Sequence, residues 1–111
     1  YNANPTSMAA SINAFLHEQT AKELTFILGE MRELGEYSHL EHQNIVNMLL
    51  ENKIKDVLLV GEEYNKTTAP YPVFHDVEAL AEFIGNHPLS GKHILIKGSR
   101  GNQLEKILPL L

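Results

Sequence analysis

Lys97-Gly98-Ser99-Arg100-Gly101 is the stretch of this chain whose residue types and spacing could do the most chemistry. Two glycines let the backbone turn tightly and come close to a ligand. A helix starting after the turn would add unpaired N–H groups and its positive dipole end. Arg100 could hold a carboxylate or phosphate through two parallel hydrogen bonds, and Ser99 adds a hydroxyl donor. The same residues would equally make a glycine-rich turn with a solvent-exposed arginine. A second donor set opens the sequence, where Tyr1-Asn2-Ala3-Asn4 offers a phenol and two amides. Asn4 precedes Pro5 and suits a helix N-cap, whereas Asn2 has no such structural duty and reads as a ligand contact.

Other constellations are weaker. His39 and His42 stand three apart on a helical pattern and could share a metal, but a third ligand at suitable spacing is missing. His42 also falls on the inward stripe, where a packed, hydrogen-bonded histidine is the common case. Glu30, Glu33 and Glu36 with Arg32 read as a solvated loop, since acid–base catalysis would need a partner that spacing does not identify. The chain contains neither a Gly-x-x-x-x-Gly-Lys-Ser/Thr phosphate loop nor a Gly-x-Gly-x-x-Gly fingerprint. Its residues therefore would not hold a nucleotide triphosphate unaided.

The elements that must position these residues alternate. A helix is expected from Pro5 to Gln19, with Met8, Ile12, Phe15 and Leu16 on one face. Glu23 to Leu28 reads as a strand, followed by a loop from Gly29 to Tyr37 with room for a short turn of helix. Ser38 is expected to cap a helix running to Asn52, with Glu41 at the capping-box position. Asp56 to Val60 and Val73 to His75 read as strands separated by a loop, and Asp76 as the cap of a further helix. The last strand, His93 to Lys97, is expected to turn into a helix with Leu104, Ile107, Leu108 and Leu111 inward. The pattern predicts an α/β fold, a Rossmann-like three-layer sandwich with a mostly parallel sheet. Ligands bind beyond the carboxyl ends of the strands in such sheets. The Asn-Pro helix start has no strand pattern before it, so the first strand of the sheet is expected to be absent from this chain.

The bulk numbers agree with one domain, residues 1–111. With 111 residues the chain can build a single core. Its 43% hydrophobic and 21% charged residues are ordinary for a globular protein, and no apolar run reaches the roughly 20 residues of a membrane helix. A net charge of −5 argues against a general nucleic-acid surface, though not against small anions. The chain has no cysteine, hence no disulfide framework and no thiolate metal site, in agreement with a reducing cytoplasm.

Three blocks resemble the C-terminal domain of the Mur ligases. Tyr1-Asn2-Ala3-Asn4-Pro5-Thr6-Ser7-Met8 is similar to the family's Asp-x-Tyr-Asn-Ala-Asn-Pro-x-Ser-Met. The stretch Leu28-Gly29-Glu30-Met31-Arg32-Glu33-Leu34-Gly35-Glu36-Tyr37-Ser38, with Glu41-His42, resembles Gly-Asp-Met-x-Glu-Leu-Gly-x-x-Ser and a following Glu-His. Lys97-Gly98-Ser99-Arg100 matches Lys-Gly-Ser-Arg. Glu30 stands where the pattern has Asp, and the Asp that opens the first block would lie two residues before Tyr1. In the family that Asp ends the domain's first strand and helps hold the ATP ribose.

The first block points to the branch that joins D-alanyl-D-alanine to UDP-N-acetylmuramoyl-tripeptide. The resemblance implies that ATP phosphorylates the tripeptide carboxylate, the dipeptide amine attacks the acyl phosphate, and phosphate leaves. It implies a bacterial cytoplasmic enzyme of peptidoglycan synthesis, with ATP and Mg2+ bound by the full-length protein and this domain acting as a lid, inactive alone. Asn2, Asn4, Ser99 and Arg100 are then expected at the substrate, and Tyr1, Asn2 and Lys97 at ATP. No nucleic-acid or membrane partner is expected. Two other readings remain at this stage: a free-standing α/β anion-binding or regulatory module, and the C-terminal domain of a ligase like folylpolyglutamate synthase.

Overall fold

The structure, a computed structural model, describes residues 3–18, 23–89 and 92–111. The elements are α1 (Pro5–Glu18), β1 (Leu24–Gly29), α2 (Ser38–Glu51), β2 (Asp56–Val60), α3 (Glu62–Asn65), β3 (Val73–Phe74), α4 (Val77–Asn86) and β4 (His93–Lys97). The four strands form one parallel sheet in the order β3-β2-β1-β4. β1 is therefore central, with Leu28 opposite Leu59 on one side and Lys97 on the other. Gln19, the expected last residue of the first helix, lies outside the described residues.

The sheet is a sandwich because its strands alternate. Phe26, Leu28, Val57 and Leu59 face α1 and α2, meeting Met8, Ile12, Ile45, Val46 and Leu49. Ile27, Leu58 and Val60 face the other way, onto Val77, Leu80 and Ile84 of α4 and onto Leu104 and Ile107. Successive side chains of a strand point to opposite faces, so a continuous apolar run needs cover on both. Each fully buried side chain of this kind contributes about 1.5–3 kcal/mol, against about 0–1 kcal/mol for an exposed ion pair. Apolar alternation therefore sets the layers.

Three local expectations change. The residue before α2 is Tyr37, which makes no side-chain cap bond, and Ser38 is already helical. The 3-10 turn Gly35–Tyr37 runs straight into α2, and the Ser38 hydroxyl points across to Glu63 instead. The segment after Gly61, expected as loop, contains the single-turn helix α3, whose Tyr64 is fully buried. Most consequential is the end of the chain. The expected helix after β4 is two 3-10 stretches, Arg100–Asn102 and Leu104–Leu110, separated by Gln103 at φ 52°. A left-handed residue stops α-helical propagation, and Pro109 has no N–H for an α-helical bond. With three residues per turn, Leu104 and Ile107 share the buried face, while Leu108 and Leu111 turn outward at 55% and 44% exposure.

Candidate functional site: the carboxyl edge of the sheet

The loops after β1, β2 and β4 meet at the carboxyl edge. Lys97 ends β4 in register with Leu28 and is half-buried. Gly98 and Ser99 are buried, and Arg100 is exposed. The turn is held from inside by Asn102, only 7% exposed. Its Oδ1 accepts from the Ser99 backbone N–H at 2.9 Å and from the Ser99 hydroxyl at 3.0 Å. The carboxamide fits only because two glycines face it. A Cβ on Gly29 would lie 2.3 Å from Asn102 Oδ1, and one on Gly98 would lie 2.8 Å from it.

Ser99 is thus a brace of the turn, and its hydroxyl reaches a substrate only by giving up Asn102. The dipole argument also changes, because a three-residue 3-10 segment follows Ser99 in place of an α-helix. Charge on side chains remains. Among the described residues, none of Lys97, Arg100 and Arg32 has a carboxylate within ion-pair distance, since every such pair involves other cations. Arg32 comes from the β1-end loop. Its Nε donates to the Ser99 hydroxyl oxygen at a long 3.4 Å, and its guanidinium lies against Gly101, where a Cβ would sit 2.6 Å from Cζ.

Asn4 acts as the helix cap. Its Oδ1 accepts from Ser7 N–H at 2.9 Å, and its own N–H donates to the Ser7 hydroxyl at 3.1 Å. It makes no hydrogen bond to Ser99 or Arg100. Tyr1 and Asn2 lie outside the described residues.

His42 is fully buried and engaged at both nitrogens. The Met31 backbone N–H donates to Nε2 at 2.9 Å, so that nitrogen carries no proton. The ring proton therefore sits on Nδ1 and donates to Ser38 O at 2.7 Å. Its ring meets Tyr64 edge-on, 4.8 Å between centroids. His42 ties the β1-end loop to α2, and neither nitrogen is left for a metal. Among the described residues no group of three or more His, Asp or Glu could hold a metal ion.

The β1-end loop is solvated at Arg32, Glu33 and Glu36, which are exposed, but not at its start. Glu30 is half-buried, its N–H donates to Val60 O at 2.9 Å, and its carboxylate lies where a Cβ on Gly61 would be 2.5 Å away. Gly61 has φ 118°, a conformation that glycine adopts without strain. Beside it, His75 Nδ1 lies 2.6 Å from Glu62 Oε1, and this bond with its carboxylate charge raises the imidazole above 6.5. Sequence reasoning missed Asn102 and the docking of Arg32. A Ser-x-x-Asn spacing across the turn was the available signal for the first; nothing local announced the second.

Residues 1–100 match the family model described as Mur ligase, glutamate ligase domain. UDP-N-acetylmuramoyl-tripeptide--D-alanyl-D-alanine ligase of Rickettsia prowazekii is 38% identical over 97% of this chain and 25% of its own length. The ligase of the same name from Treponema pallidum is 28% identical, over 100% of this chain and 26% of its own. The crystal structure of MurF ligase from Thermotoga maritima in complex with ADP superposes with a TM-score of 0.77, at 26% identity, over 99% of this chain and 26% of that one. A crystal structure of MurF from Acinetobacter baumannii gives 0.71 at 28% identity, over 98% of this chain and 25% of that one. The chain thus spans about a quarter of the length of the relatives it matches. With family pattern, parallel sheet and carboxyl-edge turn in agreement, the chain belongs to the Mur ligase family, as its glutamate ligase domain.

Proposed function

We propose that residues 1–111 form the C-terminal lid domain of an ATP-dependent ligase of the bacterial cytoplasm. That ligase joins D-alanyl-D-alanine to UDP-N-acetylmuramoyl-tripeptide for peptidoglycan synthesis. The observation that carries this reading is the 38% identity to a ligase of that name over 97% of the chain. The carboxyl edge is chemically suited to it. Arg100 is exposed and without a carboxylate partner among the described residues, on a turn that Asn102 holds rigid. We assign Arg100 to the carboxylate of the dipeptide, with Ser99 fixing the turn beneath it. Lys97, together with Tyr1 and Asn2, is assigned to ATP, and Asn2 and Asn4 to the substrate side.

In this reaction ATP phosphorylates the tripeptide carboxylate, and the dipeptide amine displaces phosphate from the acyl phosphate. This domain contributes charge neutralisation and alignment, which can account for much of such a barrier. Mg2+ and the phosphate-binding residues are assigned to the rest of the ligase. No described helix is long and apolar enough to cross a membrane.

The test compares the chain alone with the full-length ligase. The chain alone is expected to give no ATP-dependent ligation of D-alanyl-D-alanine; turnover by it would overturn the lid reading. In the full-length ligase, Arg100→Ala should raise the dipeptide KM about 10–100-fold, the size of a lost charge-assisted hydrogen bond. Unchanged KM and kcat would remove the carboxylate assignment.

A further inference from the structure

Glu30 and Arg32 carry opposite charges two residues apart, and both line one cleft of about 250 Å3 at the carboxyl edge. Glu30 is half-buried and Arg32 is exposed, so both are open to a ligand in the cleft. Among the described residues neither is ion-paired, with each other or with any other group. The other charges of the cleft wall each have a contact of their own, Asp76 through one carboxylate oxygen only. Asp76 Oδ1 accepts from Ala79 N–H at 2.9 Å, Glu78 lies 3.6 Å from Lys106, and His75 is bonded to Glu62.

Both charges also rest on glycines at positions where a side chain would collide with them. Gly61 lies beneath the Glu30 carboxylate and Gly101 beneath the Arg32 guanidinium, each at a distance a Cβ would close to 2.5–2.6 Å. The main chain of Glu30 is fixed on β2 through Val60 O, and Arg32 Nε is turned toward Ser99. Each charge thus rests against its own glycine, and the two are not ion-paired with each other.

We propose that this cleft is the recognition site for a small zwitterion, with Arg32 taking its carboxylate and Glu30 its ammonium group. A phosphate-like dianion would meet the Glu30 carboxylate, and a simple cation would meet Arg32. A molecule carrying one charge at each end satisfies both. This rests on the reaction proposed above, in which the zwitterion is the free dipeptide. Arg32, packed against Gly101 beside Arg100, then acts at the carboxylate assigned to Arg100. The assignment concerns recognition; no proton transfer is routed through Glu30.

The test uses the full-length ligase and two acceptors, D-alanyl-D-alanine and its C-terminal amide, which lacks the carboxylate. The wild type should prefer the free acid in kcat/KM. Arg32→Gln should shrink that preference at least about fivefold, while Arg32→Lys, which keeps the charge, retains most of it. Glu30→Gln should raise the KM of both acceptors about tenfold and leave the acid-to-amide ratio and the KM for ATP unchanged. A variant that was merely misfolded would move the ATP constant as well. Undiminished preference in Arg32→Gln, or an unchanged dipeptide KM in Glu30→Gln, would overturn the inference while leaving the ligase reading intact. A ligase that uses ATP with another acceptor but ignores the dipeptide would overturn both.

Discussion

Asn102 Oδ1 accepts two hydrogen bonds from Ser99, from the backbone N–H at 2.9 Å and from the hydroxyl at 3.0 Å. One buried oxygen thereby closes the turn that carries Lys97 and Arg100, and it does so against Gly29 at the end of the central strand. The charged residues at the carboxyl edge owe their placement to this uncharged contact.

Asn102→Ala should lower the stability of the chain by about 1–3 kcal/mol, because it strips two hydrogen bonds from a buried residue. Gly29→Ala should cost about as much by driving a methyl group into the carboxamide. The two effects should not add. With Asn102 already truncated, the methyl at position 29 meets a smaller neighbour, so the double variant should be more stable than the sum predicts. Urea unfolding of the four proteins checks this, and strict additivity would mean that the two residues do not meet.

Two tyrosines should respond oppositely to loss of their hydroxyls. Tyr71 OH donates to Ile54 O at 2.7 Å, whereas the buried Tyr64 OH has no partner among the described residues. Burial pushes the Tyr64 phenol far above its ordinary value, with the Glu30 carboxylate adding to the effect. Tyr64→Phe should be neutral or stabilising, since it removes an unsatisfied buried group. Tyr71→Phe should cost about 0.5–1.5 kcal/mol. Thermal unfolding of the two single variants decides between this and a hidden role for the Tyr64 hydroxyl.

Glu63 gives a pH signature. Hydrogen bonds from Lys66 and then from Ser38 hold its carboxyl below the ordinary 4.5. A depressed folded value means that the contribution is whole above about pH 4.5 and fades as pH falls through the lowered value. The pair is at the surface, so the amount is at most about 1 kcal/mol. Denaturant unfolding should find wild type more stable than Glu63→Gln at pH 6, with the gap closing toward pH 3. A gap that persisted at low pH would place its origin outside this ionisation.

The layered fold was legible in the sequence because its determinants are local. Phe26 to Leu28 and Val57 to Val60 are apolar on successive residues, which demands cover on both faces of a strand. The spacing of Met8 and Ile12, or of Ile45, Val46 and Leu49, supplies helices with one apolar side. Asp76 was readable as a cap, and Ala79 N–H does donate to it. The end of the chain was misread because Leu104, Ile107, Leu108 and Leu111 fit an α-helical stripe. The 3-10 geometry follows from Gln103 and Pro109 together with the packing of Leu104 and Ile107 under α4.

The sequence by itself determined the four strands, the helices α1, α2 and α4 and the family pattern, because periodicity and motif are properties of neighbours along the chain. Only the tertiary structure decided which polar groups remain available for a ligand. That outcome depends on β4, last in the chain, pairing with the central β1, which brings Arg32 to Ser99 across a separation of 67 residues. A hydrogen bond goes to whichever partner the sheet brings within about 3 Å, and no spacing rule reaches that far. The Ser99 bond to Asn102 is local, three residues apart, but the placing of Glu30 and Arg32 in a cleft shared with Gly101 and Asn102 came only with the sheet.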